Sequence, residues 1–144
     1  GNEPNAPLPV KVMFGMVGNV DFRPAYWENV AVDGPGLAAL GLGILDPNAS
    51  IPEDEFDEKV DSISPLAFAK RGDAVPSVIG YALLDEMLID WYNGVALEEA
   101  LKQHDIPVEL FMLCNSGHFT GNNPMLVKAF YESANAYLKT YFGY

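Results

Sequence analysis

Two residues stand out as able to do chemistry together, Asp85 and His118. Asp85 directly follows the apolar run Val78-Ile79-Gly80-Tyr81-Ala82-Leu83-Leu84, and His118 follows Phe111-Met112-Leu113-Cys114 after the short loop Asn115-Ser116-Gly117. Both apolar runs read as strands, so each residue falls at the carboxyl end of a strand, where open parallel sheets place functional groups. Strand ends of neighbouring strands are about 5 Å apart, so the carboxylate can reach the imidazole. A carboxylate bonded to one imidazole nitrogen fixes the tautomer and stabilises the imidazolium, which is the supporting pair of a serine hydrolase. Each residue also has an ordinary structural reading: Asp85 as a strand-end cap or turn former, and His118 as a plain loop histidine.

A nucleophile is not legible. The serines are Ser50, Ser62, Ser64, Ser77, Ser116 and Ser133, and none has glycine at both −2 and +2, as a nucleophile elbow requires. Ser116 lies too close to His118 in the same loop to form a strained strand-to-helix turn. Cys114 is expected in the packing layers as an inert thiol. His104 ends a helix, where a cation suits the dipole. Two distant histidines and one cysteine give no zinc-ligand spacing, so no metal and no cofactor are expected.

The elements that position Asp85 and His118 follow from patterning. Pro9 to Val20 is mostly apolar and bounded by Pro9 and Gly18-Asn19, which predicts a buried strand of a parallel sheet. Ser50-Ile51-Pro52-Glu53 has capping-box spacing, and Phe56, Val60 and Ile63 then share one helical face. The acids Glu53, Asp54, Glu55, Asp57, Glu58 and Asp61 form its solvated side. Val75 to Leu84 predicts a strand entered through Pro76. A helix over roughly Asp90 to His104 carries Leu97, Ala100 and Leu101, with a first turn weakened by Asn93-Gly94. Val108 to Cys114 is the next strand. The last helix has Asn123 as N-cap, Pro124 at N1 and Gly143 as its C-terminal glycine. Alternating strands and helices predict an α/β fold, a parallel sheet with flanking helices and right-handed crossovers.

The bulk numbers bound the classes. The length of 144 residues suits a single domain,. The balance of 8 basic and 20 acidic residues, 8 − 20 = −12, argues against nucleic acid and against an anionic membrane surface as partners. No apolar stretch reaches the roughly 18 residues of a membrane span, and no signal peptide is visible. The single cysteine allows no intrachain disulfide and favours a reducing, cytoplasmic setting,.

The stretch Val75 to Met87 resembles the penultimate strand of carboxylesterase-type and lipase-type α/β-hydrolases, which delivers the triad acid. Leu97 to Leu101, Ile106 to Leu110 and Gly117-His118-Phe119 resemble their last helix, strand and histidine loop. Ser64-Pro65-Leu66 resembles the short element that often precedes the acid strand, and the block from Pro9 resembles the strand after the nucleophile helix. The order Asp85 then His118, 118 − 85 = 33 positions apart, matches the family order with its serine earlier. The resemblance covers the chain but only the C-terminal half of the family's domain, about three strands plus a cap-like insertion over residues 21–74. It implies a serine esterase that acts on a small-molecule ester, with Asp85 as orienter and His118 as general base. Nucleophile and oxyanion donors would come from a missing N-terminal half, so the chain alone is expected to be inactive. Its first strand would then need that half or a homodimer partner. The alternative is a non-catalytic binding or dimerisation module derived from the same fold. Phe22, Tyr26 and Trp27, with Leu37 and Leu40, are expected to wall a substrate pocket, or else to form an ordinary packed connection.

Overall fold

A computed structural model of the chain describes residues 10–16, 20–21, 53–84, 92–117 and 123–143. Within them three strands form one parallel sheet in the order β1 (Met13–Met16), β2 (Ser77–Ala82), β3 (Val108–Leu113). The helices are α1 (Glu53–Asp61), α2 (Pro65–Arg71), α3 (Tyr92–Lys102) and α4 (Pro124–Phe142). This is the α/β arrangement, a parallel sheet with flanking helices, expected from the patterning.

Prolines set where the strands begin. Pro76 and Pro107 have no N–H to donate, so the β2 and β3 ladders start one residue later. Their carbonyls still accept, from Met13 N–H and Ser77 N–H, both at 2.9 Å. Among the described residues of the apolar run Pro9 to Val20, the β1 ladder pairs Met13–Met16 with Ser77–Gly80. The central strand β2 is buried at every position. Strand β1 is not: Phe14 is 37% exposed and Val10, just before it, 70%. Among the described residues β1 has a neighbour on one side only.

Alternation sorts the strand residues onto two faces. Ile79 and Tyr81 of β2 join Leu66 and Ala69 of α2 and Leu97, Ala100 and Leu101 of α3 in one core, with Met13, Val108, Leu110 and Met112 packed against it. Gly80 points the other way, and a Cβ there would sit 3.4 Å from the Phe130 ring of α4. The missing side chain lets α4 lie close to the sheet. Phe130 also meets Phe111 of β3 edge-on at 5.9 Å. Helices α2 and α3 thus cover one face and α4 the other.

The caps follow the sequence signals. Asn123 accepts from Leu126 N–H at 3.4 Å, and Gly143 ends α4 at φ 75°. Helix α2 went unanticipated as a helix. Ser64 caps it by accepting from Ala67 N–H at 3.3 Å, Pro65 opens it and Gly72 closes it at φ 76°. Ser64 Oγ also donates to Val20 O at 2.7 Å, and Leu66 N–H donates to the same carbonyl at 3.0 Å. The segment after β1 is thereby fixed to the start of α2. On α1 the acids Asp54, Glu55, Asp57 and Glu58 are exposed while Val60 is buried, a solvated face over an anchored one. Ser50, Ile51 and Pro52 lie outside the described residues.

An apolar cavity of about 350 Å³ runs beside α2 on the α2/α3 face, between Val10 and Met13 of the β1 segment and Phe68, Leu97 and Leu101. No helix of the described residues is long and apolar enough to cross a membrane.

Candidate active site

The carboxyl ends of β2 and β3 are joined by backbone bonds beyond the ladder itself. Leu83 N–H donates to Leu113 O at 3.3 Å, and Leu84 N–H donates to Ser116 O at 3.0 Å. The chain turns after β3 through Asn115, whose φ of 59° is left-handed, a conformation that asparagine tolerates better than most residues. Ser116 N–H closes the turn on Leu113 O at 3.3 Å. Gly117 then passes beside Leu84: a Cβ on Gly117 would lie 3.5 Å from Leu84 O. Leu84 immediately precedes Asp85, and Gly117 immediately precedes His118. Asp85 and His118 themselves lie outside the described residues, as do Phe22, Tyr26, Trp27, Leu37 and Leu40.

Buried polar side chains gather at this end of the sheet. Asp21 after β1, Ser64 at the start of α2, Asn93 in the first turn of α3 and Ser116 after β3 are each at most 1% exposed. Among the described buried polar residues, only Ser77 sits at the opposite, amino end of a strand. Buried polar groups cost free energy unless they are bonded, and Ser64 meets that cost with Val20 O and Ala67 N–H. Sequence reading did not anticipate these buried polar residues. Asp21, Asn93 and Ser116 carry no local signal of burial, and only the packing of three strand ends brings them to one side.

The end of the His118 loop is also fixed. Asn123 Nδ2–H donates to Cys114 O at 2.9 Å while its Oδ1 caps α4. Cys114 departs from expectation: it is exposed, just past the end of β3. With β3 ending at Leu113, the side chain falls in the turn rather than in a packing layer. Ser116 is fully buried, so its hydroxyl does not face solvent as a nucleophile would. His104, also past its helix, donates through Nε2–H to Lys70 O at 2.9 Å and ties the α3 end to the α2 end. Among the described residues no three His, Cys, Asp or Glu side chains group as metal ligands.

The strongest pKa displacement in the described residues belongs to Tyr81. Burial in the α2/α3 core pushes its phenol well above the ordinary 10.0, because the phenolate would lose its hydration there. It is a structural group on the core face. Tyr137 on α4 is also raised, by burial first and then by Glu109 and Tyr141.

No family model matches the chain, and no curated protein sequence matches it. Fifteen chains of solved structures do. One is described as a truncated form of a carbohydrate esterase from gut microbiota; it superposes with a TM-score of 0.62 at 17% identity, over 90% of this chain and 42% of that one. At this identity the likeness is one of fold. This chain spans about 42% of the length of that esterase structure.

Proposed function

We propose that the chain is the acid-and-histidine half of a serine esterase-like hydrolase, with Asp85 as orienter and His118 as general base. The observation that carries this reading is the Leu84–Ser116 bond, with Gly117 beside Leu84. It brings the positions just before Asp85 and His118 into contact at the carboxyl ends of adjacent parallel strands. The carboxylate then holds the imidazole tautomer, and the imidazole takes the proton from an attacking serine hydroxyl. The serine and the oxyanion donors come from a polypeptide segment outside these 144 residues. Two features favour such a segment: among the described residues β1 is paired on one side only, and an apolar cavity lies beside it. A parallel strand is normally paired on both edges and covered on both faces.

The substrate class is a small ester. Because the fold neighbour is described as a carbohydrate esterase, carbohydrate esters belong in the panel beside nitrophenyl esters. The test uses the parent protein that contains this chain. A fluorophosphonate probe should label it, His118→Ala should abolish labelling, and Asp85→Asn should slow turnover by about 10⁴-fold, as loss of the orienting acid does elsewhere. A parent that takes no label, and whose ester hydrolysis is unchanged by His118→Ala, would be a binding or dimerisation module instead.

A further inference from the structure

We propose that the outer edge of β3 is an interface with a second copy of this chain, joined strand to strand about a two-fold axis at Leu110. The proposal is independent of the catalytic reading and concerns the edge of the sheet opposite to β1. Among the described residues no strand pairs this edge. It also lacks the devices that usually blunt an exposed edge. Its register with β2 runs unbroken from Val108 to Leu113, without a bulge. The strand holds no proline and no lysine, and its one charge is Glu109, in a chain of 8 basic and 20 acidic residues. Leu110, Phe111 and Met112 are half-buried, whereas their partners on β2 are buried.

The backbone fixes how two such edges meet. Ser77 N–H donates to Pro107 O, and Leu83 N–H donates to Leu113 O, so the odd-numbered residues of β3 turn their polar groups toward β2. By alternation the N–H and C=O groups of Val108, Leu110 and Met112 point outward. In an antiparallel pair, residues directly opposite exchange both bonds. Setting Leu110 opposite the second copy's Leu110 sets Val108 opposite Met112, and every outward group of the strand is then bonded. Moving the axis to Val108 or Met112 leaves some of them unmatched. The side chains agree with this register. Val108, Leu110 and Met112 meet apolar partners on one face. On the other, Glu109 stands opposite Phe111 rather than opposite a second Glu109, so like charges do not face each other. Helix α4 fits as well. Phe130 lies against Gly80 of β2 and Phe111 of β3, so α4 sits over the seam between those strands. One strand spacing, about 4.8 Å, separates that seam from the axis, and the two α4 helices come to lie about 10 Å apart. Helices pack at about 8–10 Å. Ser133 of α4 donates to Glu109 of β3, and Ala136, three residues on, is exposed on the same side of the helix,. Two copies related by a two-fold axis also form a closed pair rather than a chain of copies.

The experiment uses the parent protein that contains this chain. Sedimentation of the native protein should give a dimer. Ala136→Arg sets a long cation between the two α4 helices at an exposed position, and it should give a monomer with an unchanged circular dichroism spectrum. Amide hydrogen exchange locates the contact. The amides of Leu110 and Met112 should be slow in the native dimer and about tenfold faster in Ala136→Arg, the factor that one net hydrogen bond supplies. Those of Ile79 and Tyr81 in the central strand should keep their native rates. A native protein that sediments as a monomer overturns the proposal; slow Leu110 and Met112 amides in that monomer would mean that another segment covers the edge. A dimer in which these two amides exchange fast associates elsewhere and overturns it too. So does a dimer that Ala136→Arg leaves intact.

Discussion

Gly94 is the position where one added carbon should do most damage. It lies in the first turn of α3 and is buried against the face of Tyr81. A Cβ there would meet Tyr81 Cε2 and Cγ at 2.9 Å, and Cδ2 more closely still. Carbon atoms prefer about 3.5–4.0 Å, so the ring or the helix must move by about 1 Å. The ring has nowhere to go. Tyr81 is 2% exposed and shares its cluster with Leu66, Leu97 and Leu101. Overpacking of this kind costs about 1–3 kcal/mol, and three short contacts to a confined ring place it at the upper end. Alanine in a helix returns about 1 kcal/mol over glycine. The net expectation for Gly94→Ala is a loss of about 2 kcal/mol. Urea unfolding followed by circular dichroism reads it as a lower midpoint at unchanged slope. The double variant Tyr81→Leu/Gly94→Ala should recover at least about 1 kcal/mol relative to the sum of the singles, as contacting residues do in such cycles. A Gly94→Ala midpoint equal to or above the native one would mean that helix propensity outweighs packing here and that the close approach of α3 to β2 is wrong.

Ser64→Ala removes the α2 cap and the donor to Val20 O at a fully buried site. A loss of about 2 kcal/mol is expected, with Ser64→Thr retaining part of it, and equal midpoints would refute the dual role. The raised Tyr81 phenol makes stability pH-dependent on the alkaline side. Its folded value lies above the unfolded one, so the contribution is complete below about pH 10 and is lost as pH rises above that, when only the unfolded chain releases the proton,. Tyr81→Phe should flatten that alkaline decline, and an unaltered decline would count against the burial of the hydroxyl. The isolated chain should hydrolyse short nitrophenyl esters no faster than buffer, because a general base without nucleophile or oxyanion hole has little to act on; turnover removed by His118→Ala would show a nucleophile inside these residues. Sedimentation should show the isolated chain self-associating through the β1 edge that no described strand pairs,, and a monomer at high concentration would refute that.

The sequence by itself determined the order and type of most elements. Pro76 marks the entry to a strand because a residue without an N–H cannot donate to a ladder. Asn123, Pro124 and Gly143 bound α4 because helix ends need an acceptor, a preset φ and a left-handed residue,. These are local requirements, satisfied within a few residues, so they are legible in one dimension. Asp85 and His118 were singled out by the same means, from the apolar runs before them.

Tertiary structure decided what depends on distant partners. The seven-residue helix α2 is too short to show a period, and its burial comes from α3 and from Val20. Gly94 reads in sequence as a weak helix start, whereas in the fold it is the contact that seats α3 on Tyr81. Asn123 reads as a cap, and its second bond to Cys114 O exists only because β3 and α4 meet. The contact between Leu84 and the Ser116–Gly117 turn is likewise set by strand order and register. A single strand's pattern fixes which residues face the core. It does not contain the identity of the neighbouring strand, and that neighbour decides whether two strand-end residues meet.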